Sequence, residues 1–130
     1  MIEFYLDMRT GTSPYLQLVE QVKRALRLDT LRPGDQLPTL KAVVRTLTIN
    51  PNTVLKAYRQ LELEGLIETR PGVGTFIVRS LAGPELAHLP RLRESLLAWL
   101  ESARAAGLDE DSIQAVFESA RRETVAAVTV

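Results

Sequence analysis

Thr39-Leu40-Lys41-Ala42-Val43-Val44-Arg45-Thr46-Leu47, Thr48-Ile49, then Asn50-Pro51-Asn52-Thr53-Val54-Leu55-Lys56-Ala57-Tyr58-Arg59-Gln60-Leu61 carries two helix starts separated by a tight turn. Thr39 can cap a short helix whose apolar stripe is Leu40, Val43, Val44 and Leu47. Asn50-Pro51 repeats the signal: a capping side chain, then a proline where the missing N–H had no partner anyway. The spacing predicts that this helix buries Val54, Tyr58 and Leu61 and ends at Gly65, where a left-handed residue is needed. Asn50, Asn52, Thr53, Lys56 and Arg59 are left on the opposite face.

Upstream, Ser13-Pro14 signals another helix start, followed by Leu16, Val19, Val22 and Leu26 at helical spacing. Arg32-Pro33-Gly34-Asp35 reads as a turn into a short extended Gln36-Leu37. Downstream, Ile67-Glu68-Thr69-Arg70, Pro71-Gly72-Val73-Gly74 and Thr75-Phe76-Ile77-Val78 read as strand, glycine turn and strand. A lone hairpin is marginal in water, so it must lean on the helices, with Gln36-Leu37 as a third strand. The fold class predicted is mainly α: a winged helix-turn-helix with a small β-wing over residues 1–80, followed by a C-terminal two-helix dimerisation hairpin over 81–130.

The boundary is placed at Leu81-Ala82-Gly83-Pro84, where Gly-Pro breaks regular structure and the charge changes sign. The whole chain is neutral, but residues 1–80 carry a net +3 and residues 81–130 a net −3. A basic first part and an acidic second part suggest one surface for a polyanion and another for a different task. Beyond the boundary Leu89, Leu92, Leu96, Trp99 and Ala103 recur by three and four, with Leu97 and Leu100 widening the stripe. Gly107 stops that helix; Asp109 caps another, with Ile113, Val116, Phe117 and Ala120 as its apolar face. Two such helices are too thin to bury both stripes alone, so a second copy of the chain is the expected cover.

Without cysteine, a disulfide scaffold, a zinc–cysteine site and a thiol nucleophile are excluded. No apolar run approaches a bilayer span, and the acidic N-terminal stretch does not read as a signal peptide; a cytoplasmic chain with no membrane partner is expected. His88 is the lone imidazole, and no nucleophile–base pair, phosphate loop or metal-ligand spacing is present. Neither a cofactor nor an enzymatic activity is expected.

A helix fits the major groove of DNA, and its exposed N-terminal residues reach base edges. Asn52 and Thr53 stand at that end, where free N–H groups also favour phosphate, and Lys56 lies one turn on. Arg59 is placed nearer the backbone, Lys41 and Arg45 beside flanking phosphates. The wing offers Arg70 and Thr75 as donors and Gly72 and Gly74 as points of close approach. Solvated surface charge is the competing reading of Lys56 and Arg59. A winged-helix protein-interaction module without DNA binding is the alternative for the whole domain; the neutral net charge favours it and the grouping of Asn52, Thr53 and Lys56 disfavours it.

With Pro33-Gly34-Asp35-Gln36-Leu37-Pro38, Asn50-Pro51-Asn52-Thr53-Val54, Ala57-Tyr58-Arg59-Gln60-Leu61-Glu62, Glu64-Gly65-Leu66-Ile67 and Gly72-Val73-Gly74-Thr75-Phe76 in sequence order, the chain closely resembles the GntR family of bacterial transcription regulators. The two-helix tail, with Ala103-Arg104-Ala105-Ala106-Gly107-Leu108, resembles the YtrA-type subfamily. The resemblance implies a homodimer on an inverted-repeat operator, usually a repressor. It also implies DNA contacts at Lys41, Asn50, Asn52, Thr53, Lys56 and Gly72. The departures from the family pattern are Lys41 for arginine, Ala42 for glutamate, Thr48 for the turn glycine, Pro51 for arginine and Val73 for a basic residue. The tail is too short for a separate ligand domain, so an effector would have to use the dimer interface or the groove between tail and winged helix.

Overall fold

Local signals set the helix starts in the computed structural model, which describes residues 1–129, with side chains through residue 125. Proline occupies the first helical position of α1 (Pro14–Arg27) and of α3 (Pro51–Leu63), and Thr39 precedes α2 (Leu40–Leu47). Thr39 accepts a hydrogen bond from the Ala42 N–H at 3.1 Å, and Asn50 Oδ1 accepts from the Asn52 N–H at 2.8 Å. Ser13 behaves differently from the sequence expectation. Its side chain makes no capping bond, and its carbonyl takes the Gln17 N–H at 3.1 Å instead.

Three short strands, β1 (Gln36–Leu37), β2 (Ile67–Arg70) and β3 (Gly74–Ile77), form one antiparallel sheet in the order β1-β3-β2. Gln36 pairs with Phe76 and Leu37 with Thr75, so the predicted third strand is present. The second hairpin strand begins at Gly74, one residue earlier than its side-chain pattern implied, because Gly74 pairs with Arg70 across the turn. The hairpin rests on the helices through Ile67 and Ile77, both buried.

The core gathers Leu18, Val22 and Leu26 of α1, Val43 of α2, Val54, Ala57, Tyr58 and Leu61 of α3, and Leu37, Leu66, Ile67 and Ile77 around the sheet. The face predicted for α3 is therefore buried, with Ala57 added. The face of α1 is wider than expected: Val19, Val22 and Leu26 are buried as predicted, Leu18 joins them, and Leu16 is exposed. The cause is the segment before α1, whose backbone hydrogen-bonds to the buried Gln17 and Gln21. Gln21 accepts from the Tyr5 N–H at 3.1 Å and donates to the Tyr5 carbonyl at 2.8 Å. Gln17 accepts from the Asp7 N–H at 2.8 Å and donates to the Asp7 and Thr12 carbonyls at 2.9 Å. Two side-chain amides thus act as an extra strand edge for the arm, and Phe4 enters the core beside them.

Contacts divide the chain into Met1–Leu86 and Ala87–Val130. The first unit runs past the Gly-Pro step at which the sequence suggested a division, and Leu81, just before that step, packs on the winged-helix core. A 3-10 turn (Pro84–His88) follows, then α4 (Leu89–Ala105) and α5 (Glu110–Thr129). In the second unit Gly107 adopts φ +94° and closes α4, while Asp109 Oδ1 caps α5 by accepting from the Ser112 N–H at 2.8 Å. Ala103 and Ile113 are buried there; Leu92, Leu96, Leu97, Trp99, Val116, Phe117 and Ala120 stay exposed, and Leu89 and Leu100 are half-buried.

Candidate nucleic-acid interface

One face of α3 seats the helix and the opposite face is free. Val54, Ala57, Tyr58 and Leu61 anchor it, and Tyr58 fixes its rotation by donating its hydroxyl to the Pro38 carbonyl at 2.6 Å. Burial pushes the Tyr58 phenol above its usual range, so it stays protonated and keeps donating at neutral pH. Asn52, Lys56 and Arg59 are consequently exposed, and Thr53 is half-buried at the helix entrance. Helical spacing puts Asn52, Leu55, Lys56 and Arg59 on one stripe. Together with Gln60 and Leu63 they line a shallow depression of about 370 Å³.

The cations of this face are unneutralised. Among the described residues of this unit, Arg9, Lys23, Arg32 and Arg70 each reach a carboxylate, whereas Lys41, Arg45, Lys56 and Arg59 enter no ion pair, as is also true of Arg24, Arg27 and Arg79 elsewhere on the unit. The first turns of α2 and α3 carry no acid. Lys41 in the first turn of α2 and Lys56 in the second turn of α3 stand towards the positive ends of their helix dipoles, an arrangement that favours an anion. At the other end of α3, Lys23 holds Glu64 at 2.5 Å. That hydrogen bond, and a second from Gln60, keep the Glu64 carboxyl below its usual range.

The sequence-predicted residues fall at distinct stations. Lys41 and Arg45 are exposed on α2; Asn50 is exposed at the α3 entrance, with its side-chain Oδ1 occupied by its own capping bond. Thr75 lies within β3, and Gly72 adopts φ +74° at the wing tip, where an L side chain would be strained. Arg70 is drawn onto the sheet: its guanidinium lies 4.7 Å from the Phe76 ring centroid, and Nε is 3.8 Å from Glu68. Gly74 adopts φ +146°, a backbone conformation that an L side chain rarely takes.

Sequence reasoning missed Tyr15. The Lys56 ammonium lies over its ring, 3.9 Å from the centroid, so α1 positions the central cation of α3. The two residues are far apart in the chain, and no local pattern announces their contact. Leu55 was likewise passed over, because a leucine in a helix reads as core until the register assigns it outward.

A helix presented by its neighbours with unpaired cations and amides at its N-terminal end, beside a glycine-tipped wing, defines a winged helix-turn-helix DNA-binding regulator. The comparisons agree. Residues 14–77 match the model of the bacterial regulatory proteins of the gntR family. The chain is 33% identical over 109 residues to the HTH-type transcriptional repressor YtrA of Bacillus subtilis, covering 83% of this chain and 84% of that one. It superposes on a transcriptional regulator from Oenococcus oeni with 34% identity and a TM-score of 0.51, covering 89% of this chain and 98% of that one. YtrA from Sulfolobus acidocaldarius, a GntR-family transcription factor, is 27% identical with a TM-score of 0.53, covering 92% and 97%. The chain belongs to the GntR family of bacterial DNA-binding transcription regulators, in its YtrA-like branch.

No helix among the described residues is long and apolar enough to cross a membrane. No cluster of His, Asp and Glu that could hold a metal ion occurs among them either.

Proposed function

We propose that the protein is a repressor that binds an inverted-repeat operator as a homodimer, with residues 1–80 reading DNA and residues 81–130 joining two copies. The observation that carries this reading is the outward stripe of α3, where Asn52, Lys56 and Arg59 stand exposed and without carboxylate partners. Asn52 can pair with adenine through two hydrogen bonds, and Lys56 can donate to guanine acceptors or to phosphate. Lys41, Arg45 and the wing residues Arg70, Gly72 and Thr75 serve the backbone on either side, and Asn50 and Thr53 the helix entrance. Repression is supported by the B. subtilis relative, itself described as a repressor.

The dimer is supported by the apolar side chains that α4 and α5 leave uncovered, Leu92, Leu96, Trp99, Val116 and Phe117 among them, with Leu89, Leu100, Ile113 and Ala120 on the same helices. Two-fold symmetry then demands a pseudo-palindromic site.

Selection of bound duplexes from a random pool tests both parts, using the full chain and a chain ending at Leu86. The expected result is an inverted repeat with the full chain and half-sites or nothing with the shorter one. Enrichment of no sequence at low salt would overturn DNA reading; an inverted repeat with both chains would overturn the role of the tail.

A further inference from the structure

Two residues of the depression on α3, Leu55 and Leu63, are explained by neither hydrogen bonding nor charge, and Leu55 is the one nearer the helix entrance. Leu55 follows Asn52 by three residues and precedes Lys56 and Arg59, and all four line the same depression. It is half-buried, and the core side of the helix is already filled by Val54, Ala57, Tyr58 and Leu61, so Leu55 has no place in the core. Asn52 and Lys56 cannot both approach the groove without carrying Leu55 in with them, because i, i+3 and i+4 share one face.

We infer that Leu55 is a specificity-determining residue that packs on a thymine C5-methyl group in the major groove, an assignment that rests on the operator reading above. The thymine methyl is the apolar group that the major-groove edge of the four bases displays. A leucine has no donor or acceptor, so against a cytosine amino group or a guanine oxygen it would strip water and return no hydrogen bond. Its selectivity therefore has two sources: methyl burial favours thymine, and unsatisfied polar edges disfavour the other bases. Asn52 one turn before it and Lys56 beside it confine the leucine to a single base step. Leu63, two turns further along α3, is exposed but lies near the far end of the helix, away from the entrance that meets base edges.

The test is a methyl scan of the selected operator. Each thymine is replaced in turn, in both half-sites, by deoxyuridine, which removes the methyl and leaves the pairing edge intact. Binding is measured for the full wild-type chain, Leu55→Ala and Leu55→Met. At one position per half-site, wild type should lose about fourfold per methyl removed, the worth of one such group withdrawn from water. Leu55→Met should keep that dependence and Leu55→Ala should lose it, while circular dichroism shows all three equally helical. Operator binding that ignores every methyl, or a methyl dependence unchanged in Leu55→Ala, would overturn the assignment and leave operator reading intact. Binding to no duplex would overturn both.

Discussion

Thr48 closes α2 at φ 54° and ψ 51°, in the left-handed region, and its N–H reaches the Val44 carbonyl at 2.9 Å. A β-branched residue held there, where the family pattern has a glycine, carries roughly 1–2 kcal/mol of steric cost. Thr48→Gly should therefore raise the unfolding free energy by about 1 kcal/mol, the gain being trimmed by glycine's unfolded-state entropy. Urea denaturation at constant slope would measure it, and no gain would show that the turn is not strained. Tyr58 gives a second residue-level expectation. Its folded phenol titrates above the ordinary value, so its contribution is complete below about pH 10 and is lost as pH rises through the folded value. Tyr58→Phe should cost about 1 kcal/mol at neutral pH through the lost bond to Pro38, and melting temperature should then fall less steeply with alkali than in wild type. Tyr15 acts on Lys56 rather than on stability alone. Tyr15→Phe preserves the ring beneath the ammonium and should bind operator nearly as wild type, whereas Tyr15→Leu should weaken binding by roughly 0.5–1 kcal/mol without a matching loss of helicity.

At the scale of elements, α3 is held at both ends by different chemistry. Its entrance depends on the Asn50 cap and Pro51; its exit depends on Gly65 at φ +74° and on the Lys23–Glu64 contact that ties it to α1. Because the folded Glu64 carboxyl is depressed, that contact stabilises above the ordinary carboxylate range and is lost as pH falls through the folded value. Glu64→Gln should lower the melting temperature slightly at pH 7 and flatten its decline between pH 5 and 3, measured by thermal circular dichroism; an unchanged acid slope would place the acid sensitivity elsewhere. The elements themselves were largely legible. Caps and prolines at Thr39, Asn50 and Asp109, and glycines at Gly65 and Gly107, act within a turn of the chain and so declare themselves in order. The widening of the buried α1 face to Gln17, Leu18 and Gln21 was not legible. Gln17 and Gln21 are buried because backbone groups of an arm ten to sixteen residues earlier need their amides, and polar residues on a predicted apolar face look like solvent positions until that arm is in place.

For the whole molecule, the uncovered tail is the feature with the largest consequence. Trp99 and Phe117 are 38% and 43% exposed in the single chain, and aromatic side chains are enriched in the cores of stable interfaces. Phe117→Asp should dissociate the proposed dimer and leave the winged-helix unit folded, seen as halved mass in sedimentation with retained helicity. Operator affinity should fall while half-site binding persists; an unchanged mass would remove Phe117 from the interface.

By itself the order of residues determined the element sequence, the outward grouping of Asn52, Lys56 and Arg59, and the family, because capping, periodicity and turn chemistry are local and survive in one dimension. Only the tertiary structure decided that Tyr15 holds Lys56, that Leu55 lines a depression with Asn52, Lys56 and Arg59, that Arg70 lies on Phe76, and that the first unit continues to Leu86. Those depend on which distant surfaces come together, and the packing that brings them together is a property of the filled core rather than of any segment.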